Sequence, residues 1–188
     1  LLDFGSGNGA MLYFFIKKNN LKNNYSFEIS LPLLNLQKKF IKKTYFFRTH
    51  HAKINLYKKF QYNLVDNSMS ISVFQYFYNQ SYFYNILDFL LRVTKKKILI
   101  YDIKNSRTKL KYRERVRKRQ KLTLYEFKKK YRNTPIRFYD KLYIKKILNR
   151  LQKKYDFSFR FQNLPGAATD YKFGYCLIIT KNKYIKSK

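Results

Sequence analysis

The first ten residues, Leu1-Leu2-Asp3-Phe4-Gly5-Ser6-Gly7-Asn8-Gly9-Ala10, constrain this chain more than any other feature. An apolar run meets three glycines in five positions, and an amphipathic run follows: strand, tight turn, helix. Glycines let the backbone of such a turn approach a ligand with no side chain in the way, while the first helical N–H groups face it. Two cofactor classes use this device. Read as Gly5-x-Gly7-x-x-Ala10, the turn satisfies the dinucleotide fingerprint. Asp3 argues against that. A dinucleotide brings a pyrophosphate, which a carboxylate at the strand end repels, whereas a cofactor bringing positive charge is attracted.

The remaining chain alternates short apolar runs with longer amphipathic ones, the pattern of a parallel sheet covered by helices. Strands are predicted at Leu1–Phe4, Tyr25–Ile29, Thr44–Arg48, within Leu64–Val73, and at Lys97–Ile103, Phe157–Gln162 and Tyr175–Thr180. Helices are predicted at Ala10–Asn19, Leu31–Lys43, Tyr82–Val93 and Asp140–Tyr155. Ser106–Arg132 is strongly basic and helical in propensity.

Read as Asp3-x-Gly5-x-Gly7-x-Gly9, the opening resembles motif I of the class I S-adenosylmethionine-dependent methyltransferases. Glu28, closing the second strand, is similar to the acid that accepts the cofactor's ribose hydroxyls there. Asp66–Phe74 looks like the family's fourth strand and Lys95–Asp102 like its fifth. The resemblance implies an α/β, Rossmann-like fold: a seven-stranded, mostly parallel sheet with helices on both faces and an antiparallel last strand. It implies one S-adenosylmethionine-binding domain over residues 1–188, with a basic helical insertion at about 104–140. The cofactor residues it implies are Asp3, Gly5, Ser6, Gly7, Asn8, Gly9, Glu28, Ile29, Ser72 and Phe74. Two departures stand out. The helix expected before the first strand is missing, which with the absent initiator Met suggests an amino-terminal truncation. The acid that many members place beside adenine is absent around His50.

Acceptor groups are expected past the carboxyl ends of the strands. Tyr76, Arg107, Arg113 and Tyr139 are the candidates there, with Asp102, His50 and His51 as candidate general bases. The aromatics Phe74, Tyr76, Phe77 and Tyr78 would wall a pocket or join the core. Arginines of the basic segment would grip phosphate or carboxylate groups, or form a solvated surface.

Lys plus Arg number 42 against 10 Asp plus Glu, for a net charge of +32. This favours an anionic partner. Lys, Asn, Ile, Tyr and Phe are also the residues of A/T-rich codons, which alone accounts for much of the charge. The lone Cys176 excludes an internal disulfide, and two adjacent histidines make no zinc site. No apolar run reaches membrane-spanning length, so the expected setting is cytoplasmic. The expected activity is methyl transfer to a small, possibly anionic, acceptor. RNA methylation and a non-catalytic binding protein are the alternatives, with a nicotinamide oxidoreductase behind them.

Overall fold

The structure, a computed structural model, describes residues 1–49, 60–77, 79–132, 136–165 and 171–182. Seven strands form one sheet: β1 (Leu2–Phe4), β2 (Asn24–Glu28), β3 (Thr44–Arg48), β4 (Val65–Ile71), β5 (Thr94–Lys104), β6 (Phe157–Asn163) and β7 (Gly174–Lys181). Their order is β3-β2-β1-β4-β5-β7-β6. Pairing is parallel from β3 to β5 and antiparallel on both sides of β7. The order reverses between β1 and β4, which opens a crevice at the carboxyl ends of these strands.

Helices cover both faces. On one side lie α1 (Ala10–Asn19) and α2 (Leu31–Phe40). Leu12 packs there with Ile41 and Met69. On the other lie α3 (Gln80–Val93) and α6 (Lys141–Gln152). Phe83, Ile86, Leu87, Leu90 and Leu91 of α3 and Ile144, Leu148 and Leu151 of α6 meet Leu2, Phe4, Ile98, Ile100 and Leu177 in the main core. These positions recur at helical spacing, so one stripe of each helix is buried.

Local chemistry sets the ends. Ser30, Asn79 and Asp140 cap α2, α3 and α6 with their side chains. Such caps satisfy N–H groups that no helical carbonyl reaches. The helix predicted over Leu31–Lys43 ends at Phe40, because Ile41 is already extended, and Lys43 at φ +56° then turns the chain into β3. The basic segment is two helices, α4 (Lys109–Arg119) and α5 (Leu124–Lys130). Lys121 at φ +52° ends the first, and a Thr123–Glu126 capping box starts the second.

Strand β5 runs from Thr94, three residues earlier than its apolar core suggests. Its pairing with β7 shifts register between Ile100 and Ile103, with Asp102 at φ +63°. This bulge re-aims the side chains after it, and Lys104 is 1% exposed.

Candidate functional site

The glycine turn sits where the crevice opens. The backbone N–H groups of Gly5 and Ser6 both donate to the Phe27 carbonyl, at 2.7 and 3.1 Å, which ties the turn to β2. Gly5 has φ +76°, and a Cβ there would lie 2.4 Å from a methyl of Val73. Gly7, at φ +58°, would place its Cβ in open space. The first glycine is therefore required by packing and the second leaves room above the turn.

A closed ring of hydrogen bonds holds this turn from below. The Ser6 hydroxyl meets the Ser26 hydroxyl at 2.7 Å, and Ser26 donates to Oε1 of Gln37 at 2.6 Å. Nε2 of Gln37 donates back to Ser6 Oγ at 2.9 Å and to the Gly7 carbonyl at 2.6 Å. Gln37 is fully buried. Neither Gln37 nor Ser26 was singled out from the sequence. The available signal was its spacing: Leu34, Gln37 and Ile41 share one helical face, so a polar residue stands in an otherwise apolar stripe.

Two carboxylates converge here. Oε2 of Glu28 accepts from the Gly7 N–H at 2.7 Å and Oε1 from the Ser30 N–H at 2.8 Å. Each oxygen keeps acceptor capacity beyond those bonds. Asp3 is 2% exposed and makes no side-chain hydrogen bond among the described residues. Burial, and secondarily the Glu28 charge, push its carboxyl up from 3.8 to about 7.

The cleft beside this turn has a volume of about 350 Å³. Gly5, Gly7, Glu28, Ile29, Ser72, Tyr76 and Phe77 line it, together with Thr49, Val73 and Tyr82, which the sequence does not single out. Thr49 comes in because its N–H donates to the Glu28 carbonyl at 2.9 Å. A larger hollow of about 770 Å³ lies at the other end of the strands, around Leu1, Asn23, Val65 and Lys97. Size does not decide between them. The glycine turn and Glu28 belong to the smaller cleft, and buried Asp3 stands next to Phe4 of its wall.

Other expected positions lie elsewhere. Ser6 is buried in the bracing ring, and Gly9 caps α1. Asn8 is exposed, with its Oδ1 accepting from the Ala10 N–H at 3.1 Å. Phe74 does not reach the cleft: its ring packs against Phe77 and Phe83 in the core. Tyr139 is also a core residue, 3% exposed, and its hydroxyl donates to the Phe74 carbonyl at 2.9 Å. Burial pushes that phenol well above its ordinary value. Arg107 and Arg113 are exposed, Arg107 lying 3.8 Å from Asp140. His50, His51 and Tyr78 lie outside the described residues.

Asp102 is fixed rather than free. Its carboxylate accepts from Lys104 Nζ at 2.8 and 3.1 Å and from the Ser72 hydroxyl at 2.8 Å. Nζ of Lys104 also lies 4.8 Å from the centre of the Tyr112 ring. A Cβ at Gly174 would come within 2.9 Å of the same carboxylate. Cys176 is buried, and burial raises its thiol. No group of His, Cys, Asp and Glu among the described residues is arranged to hold a metal ion.

No protein-family model and no curated protein matches this sequence. Solved structures do match. The plantazolicin methyltransferase BpumL, in complex with a triazolic desmethylPZN analog and SAH, aligns at TM-score 0.67 and 15% identity, over 97% of this chain and 76% of that one. Magnesium protoporphyrin IX methyltransferase from Synechocystis PCC 6803, with bound SAH, aligns at 0.64 and 16%, over 96% and 73%. The methyltransferase domain of bacterial CtHen1 aligns at 0.63 and 12%, over 97% and 88%. With the observed strand order and antiparallel β7, these likenesses define the fold: it is that of the class I S-adenosylmethionine-dependent methyltransferases.

Proposed function

We propose that this chain binds S-adenosylmethionine at the glycine turn and transfers its methyl group to an anionic acceptor. The observation that carries the reading is Asp3, a buried carboxylate with no hydrogen-bond partner among the described residues, at the strand end beside the turn. An orphaned buried carboxylate is costly unless something compensates it. A cationic ligand group does so, and a pyrophosphate would aggravate it.

The residues fit that cofactor. Glu28 has acceptor capacity for ribose hydroxyls, Gly7 leaves space above the turn, and Ile29 and Thr49 flank the far end of the cleft. Asp3 would balance the positive methionine end. When bound, S-adenosylmethionine supplies a methyl group already activated by its sulfonium. The protein's work is then to align an acceptor and exclude water. Tyr76, 59% exposed at the cleft, is placed to flank the acceptor. Asp102, gripped by Lys104, serves better to position Ser72 at the cleft wall than to take a proton.

In this reading the methyl-transfer unit is a single domain spanning the chain, and the acceptor is a small anionic molecule or RNA. The exposed basic helices α4 and α5 favour the second. The reading is tested by incubating the protein with S-adenosylmethionine carrying a labelled methyl group, with separate small-metabolite and RNA pools. Label transferred to one pool, and lost in Asp3→Ala, supports it. Cofactor binding without label in either pool would instead support a non-catalytic binding protein.

A further inference from the structure

Six of the chain's eleven arginines fall between Arg107 and Arg132. A/T-rich composition explains abundant lysine but not this clustering of arginine. Helix α4, LysLeuLysTyrArgGluArgValArgLysArg in sequence, spans roughly 16 Å at 1.5 Å per residue. Its neighbouring carboxylates are already engaged. Glu114 pairs with Arg117 at 2.7 Å and Lys118 at 3.6 Å, and Glu126 closes the capping box of α5. Arg113 and Lys128 are exposed and make no ion pair among the described residues.

Between the two helices lies a pocket of about 160 Å³, with Phe127, Tyr131 and Phe138 among its walls. The rings of Phe127 and Tyr131 are 4.8 Å apart. Arg113 and Lys128 also line it, and both reach solvent, so the pocket joins flat aromatic surface to two cations at its rim. Stacking faces beside cations form the recognition chemistry of a single-stranded polynucleotide, whose bases and phosphates alternate at similar spacing. A membrane surface fits poorly. Beyond the buried Tyr112 and half-buried Val116, the one apolar residue of α4 is the exposed Leu110, which alone makes no apolar stripe to embed.

A single backbone hydrogen bond links the segment that walls the pocket to the one that reaches the cleft. Ile136 and Phe138 line the pocket, while the intervening Arg137 N–H donates to the Gln75 carbonyl at 2.7 Å. The residue after Gln75 is Tyr76, at the cleft. A strand seated on α4 and α5 is therefore one peptide segment away from the methyl-transfer site.

We propose that α4 and α5 form a binding site for a single-stranded polynucleotide, one base stacking in this pocket and its flanking phosphates held by Arg113 and Lys128. As an identification of the acceptor class this rests on the methyl-transfer reading; as a binding site it stands without it. The test is fluorescence anisotropy of the full chain with labelled uridine and thymidine oligomers of about twelve nucleotides, across a salt series. Arg113→Ala with Lys128→Ala should weaken binding roughly tenfold and flatten the slope of log affinity against log salt by about 0.7 per lost phosphate contact. Phe127→Leu, which keeps apolar volume in the pocket but removes the stacking face, should weaken binding while leaving that slope unchanged. Lys38→Ala with Lys39→Ala, an equal charge loss on exposed positions of α2, should change neither. Tighter binding of the uridine oligomer would assign RNA and tighter binding of the thymidine oligomer DNA, and both support the site. Equal weakening by the α2 pair, or no effect of Phe127→Leu, would reduce the interaction to diffuse charge and overturn the proposal. Calorimetry with S-adenosylmethionine on the same variants keeps that result separate from any failure of cofactor binding.

Discussion

Asp3 and Glu28 stand on adjacent parallel strands, and the charge of Glu28 adds to burial in lifting the Asp3 carboxyl to about 7. The folded chain thus holds a proton on Asp3 that the unfolded chain releases near its ordinary value of 3.8. The stability this contributes is full below the unfolded value and is lost as pH rises through about 7. Urea denaturation should show Asp3→Asn losing less stability than the native chain between about pH 5 and pH 8, by at most on the order of 3 kcal/mol. Parallel curves for the two proteins would mean that Asp3 titrates normally.

The same carboxyl couples cofactor binding to pH. A cationic ligand favours ionised Asp3, so binding below about pH 7 should release a proton, and affinity should rise from about pH 6 to pH 8. Calorimetry in buffers of different ionisation enthalpy reads the proton count directly. Asp3→Asn should abolish the release.

Gln37 braces the turn without touching the cleft. Replacing it by Leu leaves the Ser26 hydroxyl without its acceptor and the Gly7 carbonyl without its side-chain donor. A loss of about 1–3 kcal/mol in denaturation is expected for such unsatisfied buried groups, together with weaker cofactor binding. Unchanged stability would show that the ring is dispensable.

Gly5 and Gly7 should respond differently to alanine. Gly5→Ala drives a Cβ into Val73 and should destabilise the chain, with partial rescue by Val73→Ala. Gly7→Ala meets nothing in the free protein and should cost only the left-handed backbone penalty, about 1–2 kcal/mol. It should nevertheless lose cofactor affinity, because its methyl occupies the space above the turn. Thermal melts and calorimetry on both variants distinguish packing from ligand room.

Asp102 was the one candidate base whose surroundings the structure describes, and they argue for a structural duty. Asp102→Asn removes the carboxylate that faces buried Lys104 at 2.8 Å. Breaking a buried ion pair in this way typically costs about 3–5 kcal/mol. The expected result is a destabilised protein, measured by denaturation. A variant of native stability with no methyl transfer would restore the general-base role.

The sequence made the turn and the sheet legible because both are local patterns. The bounds of α1 and β3 follow from apolar spacing and agree with the structure. What depends on distant contacts was not legible. Ser6, Ser26 and Gln37 meet across 11 to 31 residues of chain, and no period in the sequence announces that they share a ring. Phe74 and Tyr139 were equally suited to a pocket wall or to the core, since an aromatic side chain serves both. The bulge at Asp102 breaks the alternation that would otherwise indicate which way Lys104 points.

The central claim is the identity of the cofactor. Calorimetric titration of the purified chain with S-adenosylmethionine and, separately, with NADH tests it most directly, repeated on Asp3→Ala. The account predicts saturable binding of S-adenosylmethionine, weakened by the substitution, and no binding of NADH. Binding of NADH alone, strengthened when the carboxylate is removed, would contradict it.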